Sequence, residues 1–244
     1  APALLEGISK HKQHLPGFVQ NWNVEGMRST LNKVLFIFIA IGVLLPTMHQ
    51  SSLGSLMLIA GKKLSPLWQT GLLPLLFLIS AITMGYAIVI FEAIYAAVGF
   101  KRPIEMPLLT KISGVMPVLI GVYLAIRVID LVVRGAVGIA FQINIQSLMF
   151  WVENALYVAA LVYAAPMANR TKPKPLFLSA FFMLIAGTVY RFNAFLVGFN
   201  PGDNWSYFPS FSETVITLGM ISLEIMAYLY IVKKFPVLPK AEHA

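Results

Sequence analysis

The stretch LPTMHQSSLGSL, residues 45–56, lies inside an apolar run that begins near Val34 and continues to about Ala60. An apolar run of this length predicts a helix that crosses a membrane. Four polar side chains interrupt it in succession: His49, Gln50, Ser51 and Ser52. Polar groups at that depth are costly, so they usually face a bundle interior or a cavity and mark function. The alternative is a helix-packing seam, because the stretch is rich in serine and glycine, which let helices approach closely.

The composition of the whole chain agrees with this environment. The 244 residues are 58% hydrophobic and 11% charged, which predicts a polytopic membrane protein surrounded by a lipid bilayer. The net charge of +8 does not indicate a nucleic-acid partner, since the basic residues lie at the ends of apolar runs. The chain has no cysteine, which excludes disulfides and cysteine-ligated iron–sulfur clusters within it.

Six apolar segments are long enough to span a membrane, and short loops with Pro, Gly and Lys separate them. Their approximate limits are 33–60, 68–99, 111–135, 146–169, 175–199 and 211–233. The predicted fold is therefore an all-α membrane protein, a polytopic transmembrane helix bundle with six spans. We expect residues 1–32 to be a polar N-terminal segment or loop that follows missing spans. A six-helix domain over 33–235 and a cytoplasmic tail over 236–244 complete the predicted organisation.

The positions of lysine and arginine predict the orientation of these spans. Thirteen of the 18 basic residues lie on the side that holds the N-terminus, and three lie on the opposite side. Because cytoplasmic loops carry the excess of Lys and Arg, both ends of the chain are predicted to be cytoplasmic. The two remaining basic residues, Arg127 and Arg191, lie within spans.

Charged and titratable residues recur at one predicted depth. At about 1.5 Å per helical residue across an apolar layer of about 30 Å, five of them fall in the outer third. These are His49, Arg127, Asp130, Glu153 and Arg191. Because Arg127 and Asp130 are three residues apart on one helix face, we predict that they form a structural ion pair. Five such residues at one level favour a polar site open to a cavity.

Two further carboxylates lie away from this layer. Glu224 is in the middle of the last span, and Glu92 lies near the cytoplasmic end of the second span. Together with Asp130 and Glu153 they predict a proton path, because protons need relays where bulk water is excluded. The alternative for Glu92 is a solvated position at the membrane interface.

The same inventory predicts which redox groups are absent. A haem held by two imidazoles inside the membrane needs two histidines on facing helices, and His49 is the single histidine in a predicted span. We therefore predict no haem, no iron–sulfur cluster and no metal site in this chain, which then has no electron carrier of its own.

The outer loop NPGDNWSYFPS, residues 200–210, is aromatic and nearly uncharged. Its Trp205, Tyr207 and Phe208 are typical of an interfacial aromatic belt. A docking surface for an external subunit and a lid over the polar site are the alternatives.

Several segments resemble one known family. They are LPTMHQSSLGSLM (45–57), SPLWQ (65–69), GYAIVIFEA (85–93), YRFNAFLVGFNPG (190–202) and WSYFPS (205–210). The chain resembles the NrfD/polysulfide-reductase membrane-subunit family, and within it the HybB branch of uptake nickel–iron hydrogenases. Those proteins are longer, and the likeness is to their C-terminal part.

The resemblance implies an integral subunit of the bacterial or archaeal cytoplasmic membrane that exchanges electrons with menaquinone or ubiquinone. It implies a ferredoxin-like iron–sulfur partner on the outer face and a catalytic subunit, a hydrogenase or another oxidoreductase. The chain is then not catalytic alone. By resemblance, His49 is a candidate catalytic residue that contacts quinone or exchanges its protons, and Glu92 is a candidate catalytic residue on the proton path.

The remaining residues of the predicted quinone site follow from chemistry. Histidine titrates near neutral pH, which suits proton exchange with a quinone. Arg191 or Arg127 supplies a cationic donor, and Ser51 and Ser52 can orient the imidazole or a quinone oxygen. Gln50 and Asn193 complete the site. Two other functions stay open at this point, a non-redox proton or ion transporter and a purely structural membrane anchor.

Overall fold

The computed structural model describes residues 24–202 and 207–234. Its regular structure is helical, apart from an isolated bridge between Leu64 and Phe199. The helices are α1 Val24–Ile59, α2 Leu73–Gly99, α3 Met106–Ser113, α4 Val115–Val133, α5 Val137–Ala140, α6 Ile145–Ala164, α7 Met167–Arg170, α8 Pro173–Phe192 and α9 Phe211–Lys234. A 3-10 turn at Gly61–Lys63 follows α1, and a π-helical turn at Asn193–Val197 extends α8.

Six stretches are long and apolar enough to cross a membrane. They are Lys33–Ile59, Leu73–Gly99, Met106–Val133, Ile145–Ala164, Pro173–Val197 and Phe211–Lys234. The predicted class and the predicted number of spans are therefore confirmed. One boundary differs, because α1 begins at Val24 and makes the end of the expected N-terminal loop helical. Residues 1–23 and the predicted tail at 236–244 lie outside the described residues.

The chain divides into two units, Leu45–Tyr207 and a unit formed by Ala1–Leu44 with Phe208–Ala244. In the second unit, a reciprocal capping box starts α9. The Ser210 backbone N–H donates to Glu213 Oε2 at 2.6 Å, and the Glu213 N–H donates to Ser210 Oγ at 3.3 Å. This arrangement satisfies two donors that the helix end would leave free.

The first unit is built around four of the helices. Helix α2 packs against α4 and α8, and α6 packs against the same two helices, so the four enclose a common interior. Local sequence sets their ends. Asn144 caps α6 by accepting a hydrogen bond from the Ser147 N–H at 2.7 Å. Gly135, at φ 67°, ends α4 in a left-handed conformation that glycine adopts without steric cost.

The connection between α1 and α2 folds into this interior. The Ser65 N–H donates to the Gly198 carbonyl, and the Asn200 N–H donates to the Lys63 carbonyl, both at 2.7 Å. As a result the side chain of Trp68 has no exposed surface. The second span begins at Leu73 rather than at the predicted residue 68, because the intervening residues form this buried connection.

Candidate functional site

The carboxyl group of Glu153 lies at the centre of the four helices and is fully buried. Its Oε2 accepts hydrogen bonds from the Trp68 indole N–H at 2.9 Å and from the Asn193 amide at 2.8 Å. Its Oε1 accepts from the Tyr123 hydroxyl at 3.3 Å and from Arg127 Nη2 at 3.4 Å. A carboxylate has about four acceptor positions, so these four donors, which come from three parts of the chain, saturate it.

Arg127 forms the charged partner of this carboxylate. It is 1% exposed and makes an ion pair with Glu153 at 3.4 Å. Its guanidinium also lies 5.2 Å from the ring centre of Phe150 and 5.6 Å from that of Tyr190, within range of cation–π attraction. Such attraction is strongest when water is excluded, as it is here.

Three tyrosines line the pair. The rings of Tyr123 and Tyr157 stack with centres 4.3 Å apart, and Tyr190 meets Tyr123 edge-on at 5.6 Å. Offset and edge-on geometries of this kind are the favourable ones for aromatic pairs. The rings therefore hold the polar groups in a fixed arrangement.

Trp68 and these tyrosines were not among the residues predicted for the site. A signal existed for the tyrosines, because each lies one helical turn from a polar residue of the site. Tyr123 precedes Arg127 by four residues, and Tyr157 follows Glu153 by four. Residues at that spacing share a helix face. No comparable signal exists for Trp68, which reaches Glu153 from a connection 85 residues away in sequence.

The π-helical turn after α8 positions Asn193. The Gly198 N–H donates to the Asn193 carbonyl at 2.7 Å, a span of five residues that widens the helix at this point. The Asn193 amide also donates to the Met149 carbonyl at 3.1 Å. Glycine is required at 198, because a Cβ there would lie 2.8 Å from Trp68 Cε3 and 2.9 Å from the Asn193 carbonyl oxygen.

A second polar cluster joins α8 to α1. Arg191 is partly exposed, and its Nη2 donates to Gln50 Oε1 at 2.9 Å. Its Nη1 donates to the Gly187 carbonyl at 2.9 Å and to Met84 Sδ at 3.1 Å. The guanidinium also lies 5.8 Å from the ring centre of Phe77. Two of the residues predicted to bind quinone, Gln50 and Arg191, are thus brought together.

The rest of the polar stretch on α1 divides between two faces. His49 and Ser52 lie on the exposed face, where Ser52 Oγ donates to the His49 carbonyl at 2.8 Å. Ser51 is partly buried, and its carbonyl accepts from Ser55 Oγ at 3.1 Å. On the packed face, a Cβ at Gly54 would lie 2.6 Å from Pro74 Cα. The stretch therefore includes a helix-packing seam as well as exposed polar groups.

The predicted ion pair between Arg127 and Asp130 is not the arrangement that the structure shows. Arg127 turns inward to Glu153, whereas Asp130 pairs with Arg134 at 2.6 Å and accepts from Thr70 Oγ1 at 2.7 Å. The prediction was based on the spacing of residues along one helix. A buried arginine needs a paired carboxylate, and the neighbouring helix α6 provides one for Arg127.

The other predicted residues are not gathered at this site. Glu92 is exposed near the end of α2, and Glu224 is exposed on α9 in the other unit. Among the residues predicted to dock a partner, Tyr207 and Phe208 are exposed. Trp205 lies outside the described residues.

Comparison with known proteins places the chain among membrane subunits. The family model for "Polysulphide reductase, NrfD" matches residues 10–200. The "Probable Ni/Fe-hydrogenase 2 b-type cytochrome subunit" of Escherichia coli K12 is 39% identical over 242 residues, which are 98% of this chain and 58% of that protein. A protein of Nitratidesulfovibrio vulgaris, named only "Protein", is 30% identical over 234 residues, 91% of this chain and 60% of its own length. No solved structure matches.

The name of the Escherichia coli relative corrects one prediction. That protein is named a b-type cytochrome subunit, which implies haem, so the prediction that excluded haem was wrong. The prediction counted the histidines of this chain alone, whereas the chain spans about three fifths of the length of the curated relatives it matches. A haem held by two histidines does not fit the described residues by themselves, since His49 is their single histidine.

The extent of the family match agrees with the resemblance inferred from sequence. The matched residues 10–200 are most of the 244 and contain both polar clusters. The relative that is 39% identical covers nearly the whole chain. The chain belongs to the polysulphide reductase NrfD family.

Proposed function

We propose that this protein is an integral membrane subunit of a redox complex that exchanges electrons and protons with a membrane quinone, menaquinone or ubiquinone. The family and the hydrogenase-associated relative support a redox complex. In this proposal a ferredoxin-like iron–sulfur subunit on the outer face connects the protein to a catalytic subunit. The excess of Lys and Arg on one side supports cytoplasmic ends in a bacterial or archaeal cytoplasmic membrane.

The observation that carries the proposal is the cluster of Arg191 and Gln50. A partly exposed guanidinium inside an apolar span is costly and marks a functional site. Quinones reach a protein through the lipid phase, and their carbonyl oxygens accept hydrogen bonds. Arg191 offers cationic donors at that level, and the buried ring of Phe77 packs beside its guanidinium. Cationic donors are effective in a water-poor site because they stabilise negative charge as it develops.

The other residues of the predicted quinone site take different roles in this proposal. His49 adjoins Gln50 in sequence on the exposed face of α1, where we assign it to proton exchange with the quinone. Ser52 Oγ donates to the His49 carbonyl, and the Ser51 carbonyl accepts from Ser55 Oγ, so both serines take part in local hydrogen bonds within α1. Asn193 is fully buried and holds Glu153, so we assign it to the positioning of that carboxylate.

Proton transfer is proposed to involve the buried carboxylate. Glu153 is the acidic group inside the four-helix interior. Asp130 lies near the C-terminal end of α4, and Glu92 lies in the C-terminal part of α2. In this proposal these two acids exchange protons closer to the membrane surfaces, and Glu224, in the middle of α9, is the fourth carboxylate of the predicted proton path.

The test uses the purified complex with all its subunits. Quinone-dependent turnover is compared with turnover by a soluble dye that accepts electrons directly from the catalytic subunit. Removal of one charge-stabilising donor typically costs about a hundredfold or more in rate. We expect Arg191→Leu to lower quinone turnover about a hundredfold and to leave dye turnover unchanged. Gln50→Leu and His49→Ala should give smaller losses of the same kind.

The matched control is Ser222→Ala. Ser222 is an exposed polar residue of α9 that bonds only to the Leu218 carbonyl in its own helix, so quinone turnover should be retained. Wild-type quinone turnover in Arg191→Leu would contradict the proposed site. Equal loss of dye turnover would instead show that the variant damages the whole complex.

A further inference from the structure

Several buried polar atoms around the Arg127–Glu153 pair have no hydrogen-bond partner within the described part of the chain. They are Arg127 Nε, Arg127 Nη1, the hydroxyls of Tyr157 and Tyr190, and Asn193 Oδ1. Their side chains are at most 1% exposed. Buried polar groups in native proteins nearly always have a partner, and leaving one without a hydrogen bond is destabilising. These atoms therefore need a hydrogen-bond partner other than the protein atoms around them.

The chemistry of these atoms restricts what that partner is. Arg127 Nε and Nη1 carry N–H donors, Asn193 Oδ1 is an acceptor, and the Tyr190 hydroxyl is both. An anion satisfies Arg127 but faces the neighbouring carboxylate and the Asn193 oxygen. A carbonyl ligand accepts hydrogen bonds but leaves Asn193 unmet. Water both donates and accepts, and an internal water typically makes about three hydrogen bonds.

We propose that internal water binds beside the Arg127–Glu153 pair. Water there accepts from Arg127 and donates to Asn193 Oδ1, and the Tyr190 hydroxyl is its third partner. This inference stands apart from quinone exchange, because it concerns only the buried hydrogen bonds of this chain. It also deepens the proposed proton path, since it adds water to the hydrogen-bonded network of Arg127 and Asn193 that surrounds Glu153. That consequence rests on the proposed function, and the water site does not.

The first test is radiolytic labelling of the intact complex in water enriched in oxygen-18. A short X-ray pulse converts bound water to hydroxyl radicals, which oxidise side chains that touch it, and mass spectrometry locates the label. Tyr190 should be labelled even though it has no exposed surface. Met116 and Met183 are equally buried, lie about two helical turns from Tyr123 and Tyr190, and should stay unlabelled. If Tyr190 is labelled as little as these methionines, the proposal is wrong. Equal labelling of all three residues would also overturn it, because that result indicates opening of the helix bundle.

The second test is thermal unfolding of Tyr190→Phe. Phenylalanine keeps the ring beside Arg127 and Tyr123 and removes only the hydroxyl. If water bonds to that hydroxyl, the midpoint of unfolding falls. If the hydroxyl is dry and unpaired, its removal leaves the midpoint unchanged or raises it, and the proposal fails. Tyr95→Phe on α2, where the tyrosine is 68% exposed, controls for the loss of a phenol group.

Discussion

Replacing Glu153 by glutamine removes one negative charge from the centre of the protein and keeps the side-chain shape. The carboxylate accepts from four donors, whereas glutamine offers one oxygen and an NH₂ group that faces donors. At least two donors then lose their acceptor, at about 1.5–3 kcal/mol for each bond to a charged group. Breaking a buried ion pair by removing one partner costs about 3–5 kcal/mol. The two estimates overlap, so we expect a loss of about 3–5 kcal/mol in the free energy of unfolding.

The assay is reversible unfolding of the purified protein in detergent, with a double-mutant cycle. Arg127→Met should also destabilise the protein, because it leaves the Glu153 charge without its cation. The double variant lacks both charges, so it should lose less than the sum of the single variants by about 1 kcal/mol or more. A Glu153→Gln effect below about 1 kcal/mol, or strict additivity of the two changes, would refute the view that a charged pair holds this interior.

Three further changes test the local geometry by the same unfolding assay. Gly198→Ala should cost about 1–3 kcal/mol, because its Cβ would lie 2.8 Å from Trp68; an unchanged midpoint would show that the connection is loose. Lys101→Gly should stabilise the end of α2 by about 1 kcal/mol, since Lys101 holds φ 52°, a conformation unfavourable for a residue with a Cβ; any loss would contradict this. Asn144→Ala should cost about 1 kcal/mol by removing the cap of α6, and Asn144→Ser should restore most of it.

The arrangement of spans was predictable because length and hydropathy determine it. Six apolar runs gave six helices, since each had the length that a bilayer requires. The boundaries were less predictable where tertiary contacts decided them. Residues 68–72 were predicted to begin the second span, yet they belong to the connection whose residues 63–65 pair with residues 198–200. That pairing joins segments far apart in sequence, and periodicity carries no information about it.

The candidate site was predictable in part. Depth alone placed Arg127 and Glu153 at one level of the membrane, and the structure brings them together. Depth in the membrane does not determine which neighbouring residue pairs with a charged side chain. The short spacing of Arg127 and Asp130 favoured a local pair, but Asp130 lies near the helix end and pairs with Arg134. Partner choice across helices depends on rotation about each helix axis, which one sequence does not fix.

The central claim is that quinone reaches Arg191 and Gln50 from the lipid. The most direct measurement is photo-crosslinking of the intact complex in membranes with an azide-bearing quinone analogue, followed by peptide mapping. We predict labelling near Gln50 on α1 and near Arg191 on α8, and we expect excess unlabelled quinone to suppress it. Competitive labelling confined to other parts of the complex, with none near these two residues, would contradict it.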